Sequence, residues 1–341
     1  MYASWKTAYE RKWVLLATGA KQVDYGAYRN EILCGDCVEV MKQIPDEYVA
    51  GCITDPPYNY EFIGHNWNTE EIKRRTERIK DSSTLVKNIP YGSGLAGGVR
   101  NKRWYDRNYE NIIDYQNWVF SWGQELYRIT KPGSFVFVFN STRTVAHVQV
   151  ALEKNGFYAR DIIVWRRNSG IPKGLNISKK LEKMGEECSE SWNGWHSCLR
   201  NEWEAIVVLQ KPLKNNYLTT FMEYGVGLLK AENGNGFQSN ILENIKRDSL
   251  EDYNIHVTVK PIELIEKLIE LSIPEIDSNI VIDPFLGSGT TAIAAQNKSV
   301  GYIGIDINPE YIEIAKKRLS ESYMLIPPLF IKQQADFSHK G

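Results

Sequence analysis

The stretch from Val281 to Thr291 constrains the fold more than any other part of this chain. Val281-Ile282-Asp283-Pro284 reads as the end of a buried strand, Phe285-Leu286-Gly287-Ser288-Gly289 as a glycine loop, and Thr290-Thr291 as a helix start. That succession is how an α/β protein brings backbone close to a ligand. A second apolar run, Val300 to Ile305, ends in Asp306, where nucleotide sites of α/β sheets hydrogen-bond ribose hydroxyls. The loop lacks the Gly-x-Gly-x-x-Gly spacing of a dinucleotide site, which argues against a dehydrogenase. Further runs predict more sheet at 48–54, 134–139, 161–165 and 204–209, and apolar residues at helical spacing predict helices over 115–129 and from Leu264 to Leu271. With 341 residues and 43% hydrophobic content, the chain can fill the core of one large α/β domain with an added recognition region.

Far upstream, Asp55-Pro56-Pro57-Tyr58 follows the apolar run that ends at Thr54. In isolation such a tetrapeptide is as readily a strand-terminating turn. Just past a parallel strand, it stands where open α/β sheets place their ligands. Its residue types suit one task, methylation of an exocyclic amino group on a nucleic-acid base. That nitrogen is a poor nucleophile because its lone pair is delocalised into the ring, so acceptors must bind both amino hydrogens and turn the lone pair outward. Asp55 offers a carboxylate and Pro56 a carbonyl, and the proline pair restricts the backbone that carries them. Tyr58 offers a ring for stacking on a base drawn out of the duplex. S-adenosyl-L-methionine carries the activated methyl, so this chemistry requires neither a cysteine nucleophile nor a metal.

From about Glu31 to Leu319 the sequence resembles an amino-group DNA methyltransferase of the permuted β group, in which the catalytic tetrapeptide precedes the cofactor loop. The resemblance implies a Rossmann-like S-adenosylmethionine-dependent methyltransferase fold, a mixed seven-stranded sheet flanked by helices, with cofactor and flipped base meeting at adjacent strand ends. It makes Asp55, Pro56, Pro57 and Tyr58 the catalytic set. Phe285, Gly287 and Gly289 match the family's Phe-x-Gly-x-Gly loop, with Ser288 between the glycines, and Thr290 and Thr291 are placed to bind the cofactor carboxylate. Asp283 ends the preceding strand. Asp306 is assigned to the ribose, with capping of the helix from Pro309 as the alternative, and Asp36 to the adenine, with a simple Gly-Asp turn as its alternative. His256-Val257-Thr258-Val259-Lys260-Pro261 resembles the family's His-Pro-Thr-Gln-Lys-Pro, departing at Val257 and Val259. Lys260 is thereby a cofactor candidate, while His256 is read as structural. Aspartate at the first tetrapeptide position favours adenine N6, ahead of cytosine N4 and then an RNA base. A cofactor-binding recognition subunit without turnover would have no use for the tetrapeptide.

A net charge of -1 is unusual for an enzyme that must hold double-stranded DNA, so local charge carries the argument. Residues 60–113 form a basic insertion in which Arg100, Lys102 and Arg103 lie near Trp104 and Tyr105, suited either to a loop closing over DNA or to a solvated surface. The catalytic domain is assigned to 29–165 and 256–322, and the region containing target recognition to 166–255. There Trp192 and Trp195 are read as base-recognition residues, or else as a satellite core. An N-terminal extension (1–28) and a tail (323–341) are expected to pack on the domain or on a second subunit. Five cysteines form no disulfide framework, and Cys34-x-x-Cys37 has no second pair at zinc spacing, so no metal is expected. No apolar run is long enough to span a membrane and the N-terminus has no signal-peptide pattern, which predicts a cytoplasmic protein, prokaryotic or phage-encoded, with a cognate restriction endonuclease as a candidate partner.

Overall fold

The computed structural model describes residues 27–58, 108–167 and 174–324, apart from 235, 247, 250, 255, 257 and 258. The insertion residues Arg100, Lys102 and Arg103 lie outside the described residues, as do residues 1–26 and the tail from 325. A mixed sheet of eight strands forms the centre. Its order is β1 (Glu31–Cys34), β10 (Gly301–Asp306), β9 (Ile280–Asp283), β2 (Val49–Thr54), β3 (Thr130–Asn140), β5 (Trp203–Gln210), β4 (Tyr158–Arg166) and β8 (Ile241–Leu242). Neighbours from β1 to β3 are parallel, and β5 is antiparallel to both β3 and β4. The resemblance implies seven strands. The eighth, β8, is a two-residue edge strand paired at Val164↔Ile241 and Trp165↔Leu242, too short to leave a periodic signal in the sequence.

Helices cover both faces, as a parallel sheet requires. On one face lie α1 (Cys37–Met41), α2 (Asn108–Ile129) and α3 (Val145–Lys154); on the other lie α6 (Ile262–Ser272) and α7 (Thr290–Asn297). Side chains alternate across a strand, so β3 sends Phe135, Phe137 and Phe139 into one core and Val136 and Val138 into the other. The α6 stripe of Leu264, Ile265, Leu268 and Ile269 fills the phenylalanine side. The remaining helices are α4 (Ile177–Lys183), α5 (Tyr217–Tyr224) and α8 (Pro309–Met324), and a separate ribbon joins β6 (Glu232–Asn233) to β7 (Gly236–Phe237).

One expected boundary moves. Helix α2 begins at Asn108, inside the segment assigned to the basic insertion, because amphipathic residues start one to two turns before Tyr115. The region 166–255 includes β5, at the run 204–209 predicted as sheet, and β5 forms an interior strand between β3 and β4. Strand β5 is buried from Glu204 onward and belongs to the core.

The topology also determines what can meet. Parallel β1, β10, β9, β2 and β3 end at one pole, at Cys34, Asp306, Asp283, Thr54 and Asn140. Because β5 runs the other way, its first residues reach that same pole, with Ala205 opposite Asn140.

Candidate active site

Pairing of Cys52 with Ile282 sets Thr54 and Asp55 beside Asp283, 229 residues from Thr54 in sequence. The Asp283 carboxylate joins the two motifs. Its Oδ1 accepts hydrogen bonds from Thr54 Oγ1 at 2.7 Å and from Phe285 N at 3.0 Å, and its Oδ2 accepts one from Thr291 Oγ1 at 2.6 Å. Burial pushes Asp283 up to about 6 despite these three donors, with the Asp55 charge adding to the rise. An unpaired buried carboxylate would cost several kcal/mol, by order of magnitude, so the threonines are what make this acid tolerable.

The glycine loop is held from two sides. Gly287 N donates to Asp306 Oδ2 at 2.8 Å, and Asn308 N donates to Asp306 Oδ1 at 2.8 Å. Asp306 therefore ties the loop to the end of β10, while the cap at the start of α8 is Asn308, which accepts from Glu310 N. Burial raises the pKa of Asp306, and the two backbone donors oppose that rise. Gly287 has φ +56°, and a Cβ there would lie 2.6 Å from His256 Nε2, so its close neighbour is a histidine ring. Gly289 has φ +91° and precedes α7 without a side-chain cap. Arg318 of α8 supports the loop from behind, donating to Ser288 O at 2.7 Å and to Glu251 Oε1 at 3.0 Å. His256 stacks edge-on against Tyr311 and stays neutral, its pKa lowered to about 4 by burial and by the charges of Lys260 and Arg318.

At the tetrapeptide, Tyr115 Oη donates to the Pro57 carbonyl at 3.1 Å and accepts from Asn140 Nδ2 at 3.0 Å, which fixes the backbone after β2 to α2 and β3. Tyr58 Oη donates to Asp55 Oδ1 at 2.9 Å and also faces Glu204 Oε1 at short range. Lys260, assigned to the cofactor on sequence, stands at the tetrapeptide. Its ammonium lies 2.5 Å from Asp55 Oδ2 and 3.0 Å from Glu204 Oε1, and 5.1 Å from the Phe139 ring centroid, because a buried lysine requires carboxylates and two stand here. Burial acts to lower the Lys260 pKa, but Asp55 and Glu204 outweigh it and hold the ammonium charged. Asp55 is raised by burial, opposed by Lys260 and reinforced by Glu204.

Other assigned residues are placed less directly. Asp36 caps α1, accepting from Val38 N at 2.9 Å and Glu39 N at 3.2 Å; Cys34, two residues earlier, pairs with Asp306. The Phe285 ring packs against Trp118 and Trp122 of α2. Ser288, Thr290 and Thr291 are buried behind the loop. Trp192 and Trp195 stack edge to face at 6.0 Å and are 44% and 63% exposed, so they form no buried satellite core. Glu204 is the site residue that sequence reasoning missed. Its one signal is an acid opening the otherwise apolar run Ala205 to Leu209.

Several features fit S-adenosyl-L-methionine, an amino acid joined to a nucleoside: a helix start with no side-chain cap, two left-handed glycines, and acids at the ends of β9 and β10. Among the described residues, no group of three or more His, Cys, Asp or Glu could hold a metal ion, and no helix is long and apolar enough to cross a membrane.

Residues 49–317 match the DNA methylase family of N6 and N4 methyltransferases. The chain is 31% identical over 300 residues to Type II methyltransferase M.HindIII of Haemophilus influenzae, covering 83% of this chain and 93% of that protein. It is 27% identical over 296 residues to Type II methyltransferase M.HinfI of the same species, covering 86% and 69%. Among solved structures, PvuII DNA methyltransferase (cytosine-N4-specific) shares the fold with a TM-score of 0.52 at 15% identity, over 88% of this chain and 95% of that one. The buried bridge between tetrapeptide and glycine loop is thus that of an amino-group methyltransferase, and the chain belongs to the DNA methylase family. Its methyl donor is S-adenosyl-L-methionine.

Proposed function

We propose that the protein is a site-specific Type II methyltransferase of the permuted β group, acting on N6 of adenine flipped out of double-stranded DNA. The observation that carries this reading is Asp55 itself, an aspartate at the first tetrapeptide position, paired with the Lys260 ammonium at 2.5 Å. When bound, S-adenosyl-L-methionine supplies a methyl group on a sulfonium, which needs no further activation. Asp55 accepts one amino hydrogen of the base and the Pro56 carbonyl accepts the other, turning the nitrogen lone pair toward the donor. The Tyr58 ring stacks on the base. Gly287, Ser288 and Gly289 would let the backbone approach the cofactor, Thr290 and Thr291 would bind its carboxylate, Asp306 its ribose and Asp36 its adenine, with Asp283 and Phe285 completing the site.

Arg100, Lys102 and Arg103 would contact phosphate, and Trp192 and Trp195 would take part in recognition, in keeping with the exposure of both rings. The M.HindIII likeness over most of both chains supports the Type II assignment, with a cognate endonuclease as partner and the cytoplasm as the place of action. The test is nucleoside mass spectrometry and base-resolved mapping on DNA from cells expressing the protein. N6-methyladenine at one short sequence is expected. N4-methylcytosine would move the substrate to cytosine, and an unmodified genome would remove the reading.

A further inference from the structure

Glu204 stands at the start of β5, 146 residues from Tyr58, and the reversed direction of β5 brings it to the pole where β2 ends. The five residues after it are buried and apolar, so a charged side chain here is out of keeping with its strand. It forms a cluster with Asp55, Tyr58 and Lys260 in which donors and acceptors do not match one to one. Tyr58 Oη faces both Asp55 Oδ1 and Glu204 Oε1, yet a hydroxyl has one hydrogen to donate. Lys260 Nζ spans the same two carboxylates, at 2.5 Å from Asp55 and 3.0 Å from Glu204. Both oxygens of Asp55 therefore already receive a donor, and each of those donors has a second acceptor within reach on Glu204.

We propose that Glu204 is a positioning residue for methyl transfer, taking over the Tyr58 hydroxyl and the Lys260 ammonium when the amino group of the incoming base claims Asp55. The inference rests on the amino-methyltransferase reading of Asp55. Without such a second acceptor, freeing an Asp55 oxygen would cost the Tyr58 hydroxyl or the Lys260 ammonium a buried hydrogen bond, and that cost would fall on base binding and on the transition state. With Glu204 in place, the exchange keeps every polar group paired. Arg167, 3.8 Å from Glu204 Oε2, balances the far side of the carboxylate. The overall chemistry is unchanged: the N–C bond forms, the S–C bond breaks, and the amino nitrogen loses a proton that Asp55 or solvent receives.

Glu204→Gln keeps the shape and one acceptor while removing the charge, and Glu204→Ala removes both. The assay is single-turnover transfer of labelled methyl from S-adenosyl-L-methionine to unmodified bacterial genomic DNA, over a range of pH, with cofactor affinity measured by calorimetry and Asp55→Ala run alongside. The expected losses in rate are about 100-fold for Glu204→Ala and about 10-fold for Glu204→Gln, with cofactor affinity within about twofold of wild type. Loss of the Glu204 charge should also move the acid limb of the rate profile to lower pH. The groups around Asp55 are Lys260 and Tyr58 on the near side, Glu204 beyond them and Asp283 across the strand end, and of these Glu204 alone is altered. An acid that only braced the fold would cost stability and leave the rate of the folded glutamine variant unchanged. Wild-type rate and limb in Glu204→Gln would overturn the inference, as would cofactor affinity falling in step with rate. Should Glu204→Ala fail to fold, the glutamine variant decides. If Asp55→Ala is also fully active, the reading of the site fails as well; if Asp55→Ala is inactive while both Glu204 variants are normal, the positioning role alone fails.

Discussion

The pole where β2 and β9 end and the segment between β4 and β5 lie on one side of the same sheet but are built on opposite principles. At the pole, polar atoms are buried and cross-braced: Thr54, Asp283 and Thr291 share one carboxylate, and Asp55, Tyr58, Glu204 and Lys260 share two. Residues 174–202, by contrast, include a helix, α4, with no buried residue, and leave Trp195, Leu199 and Met184 largely exposed. Holding acceptors within a fraction of an ångström of a reacting nitrogen needs groups that cannot relax. Contact with a partner needs side chains that the domain's own core has not consumed. The contrast therefore separates residues whose loss should stop chemistry from those whose loss should change only what is recognised.

The sharpest way to break this contrast is Asp55→Ala. It removes an acceptor that acts on the amino group and leaves the Asp283 bridge and the glycine loop intact, so transfer should fall about 100- to 1000-fold with cofactor affinity nearly unchanged. Rapid-quench kinetics and calorimetry measure both. Near-wild-type transfer would mean that the braced pole is structural only.

Asp283→Asn tests the bracing by pH. A carboxyl whose folded pKa is raised holds its proton more tightly when folded, so its contribution favours folding at low pH and is lost as pH rises from the unfolded value of 3.8 through about 6. Wild type should therefore lose stability relative to the asparagine variant between about pH 4 and pH 7, by up to about 3 kcal/mol. Urea titrations of the two proteins across that range give the difference directly. Parallel curves would show that Asp283 is not the strained acid its burial implies.

Gly287→Val comes next in size. A β-branched residue at φ +56° is strained, and its Cβ would meet His256 at 2.6 Å, so either the loop or the histidine must shift. Cofactor affinity should weaken about tenfold or more, equivalent to about 1.4 kcal/mol. Unchanged calorimetric affinity in a folded variant would remove the loop from the cofactor site.

What could be read from the sequence follows the same division. Strands β2, β3, β5 and β9 are continuous apolar runs because both their faces are covered, and such runs are visible without any partner. The glycine loop and tetrapeptide carry unusual residue types in short spans, so they too stand out. Glu204 does not, because its role arises from strand direction: only the antiparallel placement of β5 brings its first residues to the catalytic pole. For Lys260 the motif shows that a lysine is present and not which acids it meets, which the fold decides. Strand β8 and residues 174–202 have short elements whose patterns are set by neighbours rather than by their own periodicity.

The smallest expected effect is the one most specific to the exposed region. Trp195→Ala removes a ring that is 63% exposed, so stability should stay within about 0.5 kcal/mol of wild type. The same substitution at Trp122, fully buried against Phe285 beneath the catalytic pole, should cost about 3–5 kcal/mol. If the exposed ring contacts a base, Trp195→Ala should also reduce the preference for the modified sequence over other DNA by about 1 kcal/mol, roughly fivefold, while the rate at saturating DNA stays near wild type. Competition binding against cognate and scrambled duplexes, once base mapping has given the target, separates these effects. A loss of turnover with specificity intact would put Trp195 in the catalytic machinery. A large loss of stability would mean that the ring is covered in the working protein, and the contrast between the two regions would then have been drawn in the wrong place.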